Sequence, residues 1–282
     1  MTTRADGTDL HADPNEVYAL GADAAERARL QRQAGELTPE STALLDRVPL
    51  QPGDSALDLG CGPMGVLPLL HARVGREGRV VGVDSDATHV AMARLFAKEQ
   101  DLDAVEVLQG DARNTGLAAG QFAVVHARLL LVNVPRPEEV LAEMVRLTRP
   151  GGWVVGLEPD IESSICYPPI PELARLRELF AAAFARNGAD VLIGRRMAEL
   201  YRGAGLVDVG VDAKATAYPP GHSRRTIWVD LARVLRPRML ELGLADEAEL
   251  EALDAAARPH FEHPDTVVMP HLSFLAWGRK PL

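Results

Sequence analysis

The stretch Ala56-Leu57-Asp58-Leu59-Gly60-Cys61-Gly62-Pro63-Met64-Gly65 decides the fold. Residues 55–59 are apolar enough to read as a buried strand, glycines then break the run, and residues 65–74 read as a helix. Gly60, Gly62 and Gly65 have the G-x-G-x-x-G spacing of a nucleotide loop, in which a missing Cβ lets the backbone turn sharply and approach a ligand. Asp84 closes the next strand-like run, Arg79-Val-Val-Gly-Val-Asp84, where a carboxylate can accept hydrogen bonds from ribose hydroxyls. Glycine spacing alone does not say which nucleotide is meant.

Two neighbours narrow the choice. Asp58 stands two residues before Gly60, so a diphosphate on this loop would meet a like charge, and Pro63 removes one backbone N–H that a phosphate would use. A ligand carrying an ammonium and a sulfonium suits Asp58 better. The stretch resembles the first motif of the class I S-adenosylmethionine-dependent methyltransferases, Asp-x-Gly-x-Gly-x-Gly, of the small-molecule, methyltransferase type 11-like kind. Met64 stands at the motif's third glycine and Gly65 follows it, so a slightly reshaped loop is expected.

The resemblance continues downstream over residues 55–160. Gly110-Asp111-Ala112 ends the third strand-like run, where the family has an acidic residue facing the adenine amino group and a backbone N–H for a ring nitrogen. Arg149-Pro150-Gly151-Gly152-Trp153 resembles the Pro-Gly-Gly before the family's fifth strand. The resemblance implies S-adenosyl-L-methionine as cofactor, with Asp58, Gly60, Gly62, Asp84, Ser85, Asp111 and Ala112 around it. It adds Tyr18 and Gln33 as closing residues of an N-terminal lid, and His126 and Arg128 at the end of the fourth strand. His126 is a candidate proton acceptor near the methyl group or, equally, a core histidine.

The expected fold is α/β, a Rossmann-like doubly wound sheet of seven strands, mostly parallel with an antiparallel last strand. A helical lid (1–50) precedes the cofactor-binding domain (51–282). Strands are expected at 55–59, 79–83, 104–108, 121–126, 152–157 and 207–217, with a final one at 266–277. Helices alternate with them at 65–74, 86–100, 137–148, 171–186 and 191–204. The stripe Leu173, Leu176, Leu179, Phe180 and Phe184 reads as core-facing.

Residues 218–264 are more than a minimal fold of this kind needs and are expected to cap the pocket, with helices at 227–235 and 246–257. Trp228, His222 and Phe261 are candidate lining residues, and His222 a candidate general base. Arg224 and Arg225 either meet an acidic group of the acceptor or lie exposed. Asp160, at the end of the fifth strand, fits substrate contact, and His271 reads as structural.

With 282 residues, 47% hydrophobic and 25% charged, the chain can bury a full core. A net charge of −10 without a lysine or arginine block argues against nucleic acid or an anionic membrane as partner. Two cysteines point to a reducing, cytoplasmic setting, and no run reaches the length of a membrane helix. No acidic residues recur at a spacing that suggests a metal. The expected activity is methyl transfer to an O, N or C nucleophile of a small, largely apolar molecule, a secondary metabolite in the broadest reading. Two alternatives stand beside it: a protein that keeps this fold without methylating, and an NAD-dependent oxidoreductase using the same glycine spacing.

Overall fold

The computed structural model describes Arg32 and residues 34–282; the expected lid contacts of Tyr18 and Gln33 lie outside the described residues. A helix, α1 (Thr38–Leu45), leads into β1 (Ser55–Leu59), and the alternation then runs α2 (Leu67–Val74), β2 (Arg79–Asp84), α3 (Ala87–Glu99) and β3 (Val105–Gln109). It continues through β4 (Phe122–Arg128), α4 (Pro137–Leu147) and β5 (Thr148–Asp160). The seven-stranded sheet has the order β3-β2-β1-β4-β5-β9-β7, with β7 at Val207–Ala215 and β9 at Leu272–Arg279. β1 to β5 pair in parallel, and β9 is antiparallel to both its neighbours. The central strands read as continuous apolar runs because helices cover both faces, which leaves no polar side for alternation to show.

The expected last strand is in fact two. β8 (Val267–Met269) pairs with β6 (Ile165–Tyr167) in a separate antiparallel ribbon, and only β9 enters the main sheet. Pro270 lies between them; it has no N–H to offer a ladder, so the chain changes partner there.

Between β6 and β7 lie α5 (Pro171–Ala185) and α6 (Ile193–Gly203), and between β7 and β8 lie α7 (Ile227–Glu241) and α8 (Glu247–Glu262). α7 runs six residues beyond the expected stop, through Pro237, and α8 carries Pro259 inside it. Packing offsets the lost backbone bond: α7 lies between α5 and α8 and buries Trp228, Leu231, Leu235 and Met239 there. α5 and α7 form a roof over the carboxyl ends of the strands, with α8 packed against both.

Arg225 fastens that roof. Its side chain is buried, with Nε donating to the Phe261 carbonyl (2.6 Å), Nη1 to Tyr218 (2.9 Å), and Nη2 to His263 (2.8 Å) and Thr266 (2.7 Å). One guanidinium thus joins the start of α7 to the end of α8 and the approach to β8. The expectation of an exposed or substrate-facing Arg225 gives way to this role. Arg225→Met leaves four carbonyls, two of them on the buried residues Phe261 and Thr266, without their donor and should lower the unfolding free energy by about 3 kcal/mol in urea titrations. A change under about 0.5 kcal/mol would show that the clamp is dispensable.

Candidate active site

The loop after β1 is shaped by carboxylates before any ligand arrives. Asp58 is buried at the end of β1; His126 Nδ1 lies 2.8 Å from its Oδ1, and Val66 N donates to its Oδ2 (3.1 Å). Asp84 accepts from Gly62 N at 2.8 Å through Oδ2 and from Asp86 N at 3.0 Å through Oδ1. Gly60 N and Cys61 N donate to the Val83 carbonyl at 2.8 and 3.0 Å. Two of the N–H groups that would cradle a diphosphate are therefore already bound to carboxylates, which speaks against the dinucleotide alternative.

Gly65 explains how the loop tolerates Met64. It adopts φ +49°, and a Cβ there would come within 2.2 Å of Asp58 Oδ2 and 2.5 Å of the Cys61 carbonyl oxygen. Met64 has no such left-handed backbone, so the glycine requirement has moved by one residue.

A cavity of about 450 Å³ opens above this loop. Asp58, Gly60, Gly62, Asp84, Ser85, Asp111, Ala112 and Arg128, all expected around the cofactor, line it. Arg113 grips the Asp111 carboxylate through Nη2 (2.6 Å) and Nε (3.0 Å) and holds its pKa below the usual carboxylate range. Arg128 donates to Ser41 Oγ (3.0 Å) and to the Gly65 carbonyl (3.3 Å); burial lowers its pKa, Asp58 opposes that, and Arg224 adds to it. The donor set fits S-adenosylmethionine: carboxylates for ribose hydroxyls and an ammonium, and a guanidinium for a carboxylate. Among the described residues no group of three or more His, Cys, Asp or Glu is placed to hold a metal ion, and no described helix is long and apolar enough to cross a membrane.

The other half of the cavity is apolar. Phe180 and Phe184 on α5 face Ile227, Trp228 and Leu231 on α7, and Arg224 and His271 supply its polar atoms. Below it the chain turns sharply after β4, with Leu129 at φ +52°. Glu158, buried on β5, holds that turn by accepting from Leu130 N (3.0 Å), Leu131 N (2.8 Å) and Val132 N (3.2 Å). Burial pushes its carboxyl up to about 7, against these three bonds.

Four expectations change. His126 lies wholly buried beneath Asp58 and does not line the cavity, so it positions that carboxylate instead of facing a methyl group. His222 is not among the lining residues either: its ring stacks on Tyr218 with centroids 4.4 Å apart, and its Nδ1 accepts from Arg224 N (3.1 Å). That lone pair caps the turn before α7, which leaves Nε2 carrying the proton and no acceptor for base catalysis. Asp160 is buried in an ion pair with Arg195 (2.5 Å) and does not reach the cavity. Phe261 is core. Conversely, Trp228 and Arg224 line the cavity as expected, and so does His271, which had read as structural. Phe180 and Phe184 were missed because a helical apolar stripe looks the same whether it meets side chains or a cavity.

Sequence and structure comparisons agree with this geometry. A family model described as a methyltransferase domain matches residues 57–156. The chain is 36% identical over 194 residues to an uncharacterized 37.1 kDa protein of a Streptomyces fradiae transposon, covering 66% of this chain and 55% of that one. The chain thus spans about half the length of that relative. It is 30% identical over 174 residues to a demethylmenaquinone methyltransferase of Bacillus cereus, covering 57% of this chain and 73% of that protein. Among solved structures, a Haemonchus contortus phosphoethanolamine N-methyltransferase 2 bound to S-adenosyl-L-methionine aligns with TM-score 0.56 at 16% identity, over 87% of this chain and 53% of that one. The fold is that of the Rossmann-like methyltransferases. The chain belongs to the class I S-adenosylmethionine-dependent methyltransferases, and its cofactor is S-adenosylmethionine.

Two outcomes test the site's construction. Gly65→Ala combines a left-handed alanine with a collision against Asp58, whereas Gly62→Ala, at φ +57° with nothing within 4 Å of its Cβ, carries the backbone cost alone. In urea unfolding Gly62→Ala should lose about 1 kcal/mol and Gly65→Ala at least about 1 kcal/mol more; equal losses would mean that Asp58 does not constrain Gly65.

For Glu158, the folded chain keeps a proton that the unfolded chain releases near the carboxyl's ordinary 4.5. The contribution of Glu158 to stability is therefore greatest below about pH 4.5, falls by something on the order of 3 kcal/mol as pH rises to about 7, and levels off above it. Glu158→Gln should flatten that decline. Parallel stability curves for the two proteins between pH 4.5 and 7 would remove Glu158 as its source.

Proposed function

We propose that the protein transfers a methyl group from S-adenosylmethionine to an O, N or C nucleophile of a small, largely apolar organic molecule, in a cytoplasmic setting. One observation carries the reading: a single cavity runs from the carboxylates of Asp58, Asp84 and Asp111 to an aromatic roof at Phe180, Phe184 and Trp228. Polar groups at one end suit the nucleoside and amino-acid portions of the cofactor. The apolar end suits an acceptor that water would otherwise hold. A relative named for demethylmenaquinone is consistent with an apolar, aromatic acceptor, and secondary metabolites of that character belong in the same test.

When bound, the cofactor would supply an already activated methyl carbon, to which an acceptor lone pair would bond as the carbon–sulfur pair returns to sulfur. The chain's own residues then have three tasks. Asp84 holds ribose hydroxyls, Asp58 and the Gly60–Gly65 loop fix the amino-acid end, and the roof keeps water from the line of attack. Placing nucleophile, carbon and sulfur in line is most of the work, and a base matters only where the acceptor must lose a proton.

Incubation with methyl-labelled S-adenosylmethionine and a panel of quinols, phenols, amines and apolar acids should give labelled product and S-adenosylhomocysteine in equal amounts. Cofactor binding without product from any class would favour the non-methylating alternative. Two variants divide the cavity. Asp84→Ala should weaken S-adenosylhomocysteine binding by about 1–3 kcal/mol, because buried hydroxyls lose a charged acceptor. Trp228→Ala should alter acceptor KM or turnover and leave that affinity within about 0.5 kcal/mol. The reverse pattern would invert the assignment of the two halves.

A further inference from the structure

Arg224 is a buried cation to which no carboxylate among the described residues is paired. It is 3% exposed and lines the cavity. Its Nη2 lies 2.7 Å from His271 Nε2, its guanidinium stands 6.0 Å from the Tyr218 ring and meets the Tyr218 hydroxyl, a neutral partner, and among the described residues its Nε is buried without a partner. His271 brings no charge: its Nδ1 faces the Leu272 carbonyl at 3.2 Å and carries the proton, so Nε2 offers only a lone pair. Burial, helped by Arg224, drives the imidazole down to about 3. The neighbouring arginines are accounted for otherwise, the buried Arg225 by four carbonyls and the half-buried Arg128 by Ser41, Gly65 and the field of Asp58.

A guanidinium taken out of water without a counter-charge is costly, and proteins bury such groups where an anion meets them. Arg224, Ile227, Trp228 and Leu231 all line the cavity, at i, i+3, i+4 and i+7, so the turn 223–226 and α7 present them on one face. Trp228 Nε1 is a second buried donor without a partner on that face. A cation and an indole N–H at the start of the face, followed by Ile227 and Leu231 opposite Phe180 and Phe184, form an amphipathic wall. That wall matches a molecule with one anionic oxygen group and an apolar body.

We propose that the methyl acceptor is an amphipathic acid whose carboxylate or phosphate is held by Arg224, with Trp228 donating beside it. The inference rests on the reading of this cavity as the joint site of cofactor and acceptor. Arg128, against the glycine loop, remains for the cofactor's own carboxylate, so the two guanidinium groups serve different ligands.

Calorimetry on the full chain saturated with S-adenosylhomocysteine tests this with pairs that share an apolar body: octanoate, octyl phosphate and octanol, and phenylbutyrate against phenylbutanol. At least one acid of each pair should bind tenfold or more tightly than its alcohol, and the stronger of octanoate and octyl phosphate identifies the head group. Arg224→Met should reduce the preference to threefold or less, Arg224→Lys should retain part of it, and both should bind S-adenosylhomocysteine within threefold of the parent. Alcohols that bind as tightly as acids, no binding by any acid, or an acid preference that survives Arg224→Met would overturn the proposal. So would a loss of S-adenosylhomocysteine affinity in Arg224→Met, since the arginine would then belong to the cofactor. Should Arg224→Met fail to fold, the comparison of acids with alcohols in the parent protein decides alone. Failure of the parent to bind S-adenosylhomocysteine would instead overturn the underlying reading of the cavity, and the same titrations without it would still decide whether Arg224 takes an acid.

Discussion

The carboxylate of Asp58 has to be satisfied inside the protein, and much of the site follows from how that is done. It sits at the end of the central strand β1, where an ionised group deprived of water is expensive unless each oxygen finds a partner. One oxygen meets His126, which lies directly beside it in the parallel register of β1 and β4; the other takes the Val66 N–H at the start of α2. Strand, neighbouring strand and helix are therefore joined through one side chain. The space that remains excludes any residue but glycine at position 65. A loop built this way has little left to offer a diphosphate, and its buried carboxylate suits a cationic ligand better.

The sheet order gives this loop its direction. β3, β2 and β1 lie to one side of the point where the strand order reverses, and β4 and β5 lie to the other. Open α/β sheets bind ligands at that reversal. Asp111, Asp84 and Asp58 follow or end the first three strands in spatial order, so their carboxylates form a path toward the reversal. The turn after β4 and the α5–α7 roof stand beyond it. The proposed cofactor and acceptor thus approach the crossing from opposite sides, with Leu129 and the Glu158-bound turn between them.

How much of this could be read beforehand depended on the distance over which each cause acts. The strands, the loop and the acidic strand ends were legible because glycine, aspartate and apolar runs act locally. Where a side chain's role depended on which partner it finds, sequence reading failed. Asp160 looked free for substrate, but its partner Arg195 is 35 positions away. His222 looked like a base at the mouth of an insert; its lone pair closes a turn only two residues long, a role that a histidine shares with many polar side chains. Phe180 and Phe184 had the right spacing and the wrong neighbour, since periodicity reports burial and not what lies opposite. The helix expected to stop at Leu235 runs on through Pro237, because α7 packs against both α5 and α8.

Arg224 and Arg225 make the same point at adjacent positions. Identical in chemistry and both buried, they point into different surroundings. Arg225 finds carbonyls from three separate segments and becomes part of the frame; Arg224 finds a neutral imidazole, a neutral phenol and a cavity. The first makes the second useful. With the start of α7 fixed by Arg225, the face carrying Arg224 and Trp228 is held in place before a ligand arrives, so less ordering remains to be done on binding. Specificity placed on such a face can change by substitution without disturbing Asp58 or its loop. A roof that varies over a fixed cofactor end is what a fold must provide if it is to serve many acceptors with one chemistry.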